Sequence, residues 1–150
     1  MNIFKARKKH NYTVIIGCGR LGANLANELS NEGNDVLIMD ISKSSFRRLA
    51  PNFGGLSVVA DGTDPDRLRE AQTESASAVI AVTNHDNTNI MIAELAREVF
   101  GVQRVIARLY DPESEAVYRK LGIDTICPSV LSAKEIDRLL DRAGARENDQ

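Results

Sequence analysis

The residues of this chain best placed to do chemistry stand six in a row, Gly17-Cys18-Gly19-Arg20-Leu21-Gly22, a complete G-x-G-x-x-G. They follow a β-branched apolar run and open an amphipathic stretch, the context in which this pattern carries a mechanism. Gly17 permits a tight turn, Gly19 lets a pyrophosphate approach backbone N–H groups with no Cβ in the way, and Gly22 lets helix and strand pack closely. The positive end of the following helix then faces the phosphates. Arg20 sits in that helix's first turn, where a cation opposes the dipole and needs an anion to justify it.

Asp40 lies 18 residues beyond Gly22 and ends the second apolar run. A carboxylate there accepts hydrogen bonds from both hydroxyls of an adenosine ribose, each worth roughly 1.5–3 kcal/mol. Ile41, Ser42 and Lys43 complete the same corner. The charge of Asp40 repels a ribose 2′-phosphate, so NADP is disfavoured relative to NAD(H), ATP, ADP or AMP. Lys43 and Arg47 weaken that exclusion. A turn or helix-capping role is the alternative for Asp40. Asp61-Gly62-Thr63 closes the third strand at the adenine edge, where Asp61 either accepts from the adenine amino group or belongs to the loop leading to an Asp64 cap. Thr83-Asn84 closes the fourth strand across the switch point and lines the far side of the phosphates. Asn84, Asp86, Asn87 and Asn89 read equally well as turn and cap formers.

Other chemistries are poorly served. Cys18 and Cys127 are too few and too far apart for a disulfide framework or a metal knuckle, and read as buried thiols. No cofactor-independent catalytic constellation stands out. An NAD-dependent oxidoreductase, the rival from another class, would need a proton-transfer residue. Tyr118 and Lys120 give Y-x-K rather than Y-x-x-x-K, and His85 has no orienting carboxylate beyond Asp86. The net charge of −2 argues against a nucleic-acid-binding surface. The apolar runs are far short of the roughly 20 residues that span a bilayer. The basic, polar stretch Met1 to Asn11 reads as a solvated tail rather than a secretory signal, which predicts a cytoplasmic location.

The elements that must position these residues alternate in type. Tyr12 to Gly17 is followed by Leu21 to Leu29, Asp35 to Asp40 by Lys43 to Leu49, and Leu56 to Ala60 by Pro65 to Ala71. Ala78 to Val82 precedes Asn87 to Phe100, Arg104 to Leu109 precedes Pro112 to Leu121, and Ile123 to Cys127 precedes Leu131 to Leu140. Asp64 before Pro65 and Asp111 before Pro112 are helix starts, and Gly33, Gly101 and Gly122 are helix stops. Continuously apolar strands mean a parallel sheet covered on both faces. The expectation is α/β: a Rossmann-like, doubly wound, six-stranded parallel sheet in order 3-2-1-4-5-6 with a C-terminal helix. The single domain spans 12–140, between a basic tail at 1–11 and a polar tail at 141–150.

Gly17-Cys18-Gly19-Arg20-Leu21-Gly22, Asp40, Asp61-Gly62-Thr63, Thr83-Asn84, Ala107-Arg108 and Cys127-Pro128 together resemble the TrkA-N, or RCK amino-terminal, domain of bacterial potassium channels and Trk/Ktr transporters. The resemblance runs from about Tyr12 to Leu140. It implies a domain that binds NAD(H) or adenine nucleotides without consuming them, pairs as a homodimer, and assembles into rings beneath a membrane potassium-transport partner. It further implies that Arg20 reaches the terminal phosphates and that Arg108 lies in the same crevice, although an ion pair with Asp111 or Glu113 would also explain Arg108. Ser42 stands where many relatives carry Asn, and Ser129 where several carry an acid, which puts a ribose contact across the dimer in doubt. Relatives usually continue into a second regulatory lobe, whose ligands are not inherited by a chain ending in Asp141 to Gln150. In the family the last helix crosses to a partner subunit. Its stripe of Ile136, Leu139 and Leu140 fits that role or packing on its own sheet. The resemblance thus implies a nucleotide-sensing regulatory subunit, with a nucleotide-stabilised scaffold that does not gate as the third reading.

Overall fold

Val14, Ile15 and Ile16 are all at most 2% exposed, so the first strand is covered on both of its faces. A strand in that position has a neighbour on each edge and a helical layer on each side. The computed structural model, which describes residues 11–148, shows this arrangement. Six strands run in parallel as β1 (Tyr12–Ile16), β2 (Asp35–Asp40), β3 (Leu56–Val59), β4 (Ala78–Ala81), β5 (Arg104–Arg108) and β6 (Asp124–Ile126). Their spatial order is β3-β2-β1-β4-β5-β6, as the alternating pattern predicts. Pairing β1 with both β2 and β4 sets Ile16 beside Met39 and Ala81, which brings the carboxyl ends of three strands together at the switch point.

The helices are α1 (Arg20–Asn31), α2 (Pro65–Glu70), α3 (Asp86–Glu94), α4 (Glu115–Lys120) and α5 (Pro128–Asn148). α1 lies on one face, where Ala23 and Ala26 pack among Ile15, Val36 and Ile38. On the other face Leu68 of α2 and Ile90, Ile92 and Ala93 of α3 pack on Val14, Met39 and Val79, with Tyr118 of α4 at the margin. Asp64 and Asp111 cap as expected, each accepting from the amide two residues on. Gly33, Gly101 and Gly122 stand just past helical segments with positive φ.

Several segments differ from the sequence pattern. Lys43–Arg48 is a 3₁₀ helix rather than an α-helix. It is a short run led by serines, and the Ser42 and Ser44 hydroxyls bond each other at 2.9 Å, a local competition that works against α-helical propagation. The last turn after α3, Leu95–Val99, is a π-helix, and Pro112–Ser114 is a 3₁₀ turn before α4. The expected polar tail from 141 is instead a continuation of α5 through Asn148. Every residue from Leu131 to Arg142 on that helix is exposed, including Ile136 at 57% and Leu140 at 63%. α5 therefore does not pack on its own sheet. The basic tail falls outside the described residues except for Asn11, whose carbonyl accepts from the Asp35 amide at 3.1 Å.

Candidate functional site

A cavity of about 480 Å³ opens at the carboxyl ends of β1, β2, β3 and β4, where the sheet order reverses. Its floor is the glycine turn. Gly17 has φ +108°, and an added Cβ would stand 2.7 Å from the carbonyl carbon of Val82. A Cβ on Gly22 would fall 1.8 Å from the Gly17 carbonyl oxygen. Helix and turn are thus in backbone contact, as the third glycine of the pattern requires. Gly19 is different: a Cβ there would meet nothing within 4 Å. The space over Gly19 is open, and Gly19 caps α1 with no side-chain acceptor on the first-turn amides. A phosphate fits such a place, because those N–H groups otherwise lack partners.

Asp40 stands at the end of β2 in the cavity lining, and its carboxylate is fixed there by two backbone amides. Its Oδ2 accepts from the Cys18 amide and its Oδ1 from the Ser42 amide, both at 2.8 Å. The carboxylate fastens the glycine turn to the end of β2 and still has lone pairs for a ligand. Beside it the Cys18 thiol is fully buried and bonds the Ser45 carbonyl at 3.4 Å. Burial pushes its pKa above the ordinary 9.0, the Asp40 charge adds to the rise, and Arg48 opposes it. Cys127 is buried too, and both thiols are free.

Asp61 and Thr63 face each other across the third loop. Asp61 Oδ1 accepts from the Thr63 amide at 2.9 Å and from its hydroxyl at 2.7 Å, and these bonds hold the carboxyl below its usual 3.8. Gly62 is pressed against Ile16 and Ile92, where a Cβ would stand 2.6 Å from Ile16 Cγ2. On the far wall, Thr83, Asn84 and His85 line the cavity. That wall is set by the fully buried Asn89, whose amide oxygen accepts from the Thr83 amide at 2.8 Å and hydroxyl at 2.6 Å. Its nitrogen donates to the carbonyls of Thr83 and Arg108 at 3.0 and 2.9 Å. A lone Asn in a polar run gives no sequence signal of such a role.

Of the residues singled out from the sequence, Gly17, Cys18, Gly19, Asp40, Ile41, Ser42, Asp61, Gly62, Thr63, Thr83 and Asn84 come together around the cavity. Five do not line it. Leu21 packs with the α1 core, Gly22 is the helix contact just described, and Lys43 is exposed on the 3₁₀ helix. Arg20 is exposed at the start of α1. Arg108 turns away: its Nη2 donates to the carbonyls of Val82 and Thr83 at 2.9 and 3.0 Å, and its guanidinium lies over the Tyr110 ring. It makes no ion pair with Asp111 or Glu113 among the described residues. In its place the lining contains Arg48, together with Ser45, Thr88 and the apolar Met39 and Ile92, none of which the sequence pattern marked.

A parallel sheet in this order, with a glycine turn and an acidic strand end around one switch-point cavity, defines a Rossmann-like domain of the nucleotide-binding class. The family model of the TrkA-N domain matches residues 13–129, and the chain belongs to that family. It is 46% identical over 134 residues to the Trk system potassium uptake protein TrkA of Streptomyces coelicolor, an alignment covering 89% of this chain and 60% of that protein. The chain spans between 30% and 61% of the length of the curated relatives it matches. Among solved structures, it is similar to the NAD(P)-binding domain of an exopolyphosphatase-related protein from Archaeoglobus fulgidus, with TM-score 0.72 and 27% identity over 89% of this chain and 99% of that one. The TrkA-N domain of the inner membrane protein ybaL from Escherichia coli shares the fold, with TM-score 0.77 and 19% identity over 89% and 98%.

Proposed function

We propose that this chain is a nucleotide-sensing regulatory domain of a potassium uptake system, binding NAD(H) or an adenine nucleotide (ATP, ADP or AMP) and gating transport through a ligand-dependent change of shape. The observation that carries the reading is the cavity itself: open space over Gly19, uncapped amides at the start of α1, and the Asp40 carboxylate fixed beside them. The phosphates lie over Gly19 and the ribose against Asp40. The membership in the TrkA-N family and the name of the Streptomyces relative support potassium transport as the process. The Archaeoglobus neighbour, by its name an NAD(P)-binding domain, supports a nucleotide as the ligand.

The domain binds rather than converts. Tyr118 and Lys120 lie on α4, and neither lines the cavity. The exposed apolar stripe of α5 is the homodimer contact, ring assembly builds on it, and the whole works in the cytoplasm beneath the membrane subunit. None of the described helices is long and apolar enough to cross a membrane. Gating requires that the nucleotide bind two dimer geometries with different affinity, a coupling of about 1–3 kcal/mol. Arg20, exposed beside the cavity mouth, reaches terminal phosphates, so Arg20→Ala weakens ATP more than AMP.

Thermal-shift titration with NAD, NADH, ATP, ADP, AMP and NADP tests the reading. A ligand at 100 times its Kd adds roughly 2.7 kcal/mol. Indifference to all six, or steady conversion of one of them, would overturn it. Potassium flux measured with and without the shifting nucleotide separates a sensor from a scaffold.

A further inference from the structure

The cavity has one permanently cationic side chain in its lining, and it is neither Arg20 nor Arg108 but Arg48. Arg48 ends the 3₁₀ helix that follows β2, so it stands at the ribose corner, on the same side as Asp40, Ser42 and Ser45. Its base is rigid. Phe46 and Leu49, on either side of it, pack on the core beneath α1, and the Ala50 amide donates to Asn27 Oδ1 at 3.0 Å. Its head is barely engaged. Nη1 reaches the Cys18 carbonyl at 3.5 Å, the far limit of a hydrogen bond, and no carboxylate lies within 4.0 Å of it among the described residues. A guanidinium has five N–H donors in a fork shaped for phosphate oxygens. Here the guanidinium is exposed at the cavity wall, and the Cys18 carbonyl is the one protein acceptor it reaches among the described residues.

Both Asp40 oxygens already accept a backbone amide at 2.8 Å, so part of the acceptor capacity of the carboxylate is committed to the turn. With Lys43 and Arg47 exposed on the same helix, the corner carries one carboxylate and three cations.

We infer that Arg48 is the specificity-determining residue of the ribose corner: it supplies the anion contact for a phosphate on the ribose 2′ oxygen, so the crevice accepts 2′-phosphorylated adenine nucleotides nearly as well as unphosphorylated ones. The inference rests on the nucleotide reading above and narrows the discrimination that Asp40 alone would impose. In dinucleotide-binding folds an arginine near the end of the second strand is the feature that accommodates this group.

The test compares AMP with adenosine 2′,5′-bisphosphate by calorimetry on the wild-type chain, Arg48→Ala and Arg48→Lys. In wild type the two Kd values lie within tenfold of each other. Arg48→Ala weakens the bisphosphate at least tenfold while AMP changes less than twofold, and Arg48→Lys recovers part of the loss. A bisphosphate more than tenfold weaker than AMP in wild type would overturn the inference. So would equal losses for both ligands in Arg48→Ala, which would place the guanidinium on the 5′-phosphate. Either result leaves the nucleotide reading standing. A wild-type chain that ignores AMP, NAD and the bisphosphate alike overturns both.

Discussion

Replacing Asp40 by alanine separates its fastening of the glycine turn from the proposed ribose contact, because the fastening operates without ligand. Two backbone amides, Cys18 and Ser42, lose an acceptor held at 2.8 Å. Hydrogen bonds to a charged group contribute about 1.5–3 kcal/mol each, and the half-buried position of Asp40 argues for the lower end. The sum is about 3 kcal/mol of stability in the ligand-free protein. At about 2–4 °C per kcal/mol for a chain of this size, Tm falls by roughly 6–12 °C. Asparagine keeps one oxygen and turns an NH₂ toward the other amide, so Asp40→Asn loses about half as much and still opposes a donor with a donor. Urea unfolding followed by circular dichroism gives the ligand-free difference, and repeating it with AMP gives the second. Wild type gains stability with AMP, whereas Asp40→Ala gains almost none. Ligand-free Asp40→Ala unfolding at the wild-type midpoint with an unchanged m-value would refute the fastening role, whatever happened to AMP.

The glycine turn supplies a contrasting pair. Gly22→Ala forces a Cβ to 1.8 Å from the Gly17 oxygen and should cost about 3–5 kcal/mol in urea unfolding, whereas Gly19→Ala, with nothing in its way, should unfold within about 1 kcal/mol of wild type yet lose nucleotide binding by calorimetry. Asn89→Leu leaves the Thr83 amide and the Arg108 carbonyl without their Asn89 partner, and the Thr83 carbonyl with Arg108 Nη2 alone, and thermal unfolding should report a loss of about 2–3 kcal/mol; a loss below 1 would contradict its role in setting the far wall. Gln72 holds φ 56° just after α2, so Gln72→Gly should stabilise by about 0.5–1 kcal/mol in the same assay. The Cys18 thiol is pushed above 9.0 by burial and Asp40, which favours the neutral form, so its alkylation rate, followed by mass spectrometry, should still be rising at pH 9; half-maximal labelling below that pH would show the thiolate to be stabilised instead.

Much of this architecture was legible in the chain because its signals are local. Val14-Ile15-Ile16 and Val79-Ile80-Ala81 are apolar without alternation, which marks buried parallel strands, and Asp64-Pro65 and Asp111-Pro112 announce helix starts within two residues. The glycine turn was legible for the same reason: the backbone contact between Gly22 and Gly17 spans one turn. The pattern was silent where the outcome depends on distant partners. Lys43–Arg48 is kept short by its serines, and its place is then fixed from afar, by Asn27 through Ala50 and by the α1 core through Phe46. The α5 stripe is periodic in either setting, and only the folded chain shows that its own sheet leaves it uncovered.

By itself the sequence determined the order of the elements, the strand order they imply and the place of Asp40 at the end of β2 beside the glycine turn, because periodicity, caps and turns act over a few residues. The tertiary structure alone decided which charges face the cavity. Arg20, Lys43, Arg48 and Arg108 are equivalent as letters, but a side chain with four rotatable bonds ends where its element's pitch and its neighbours across the sheet direct it. Arg108 is drawn to the carbonyls of β4's end, Arg20 and Lys43 stand in solvent clear of the lining, and Arg48, itself exposed, ends at the cavity wall.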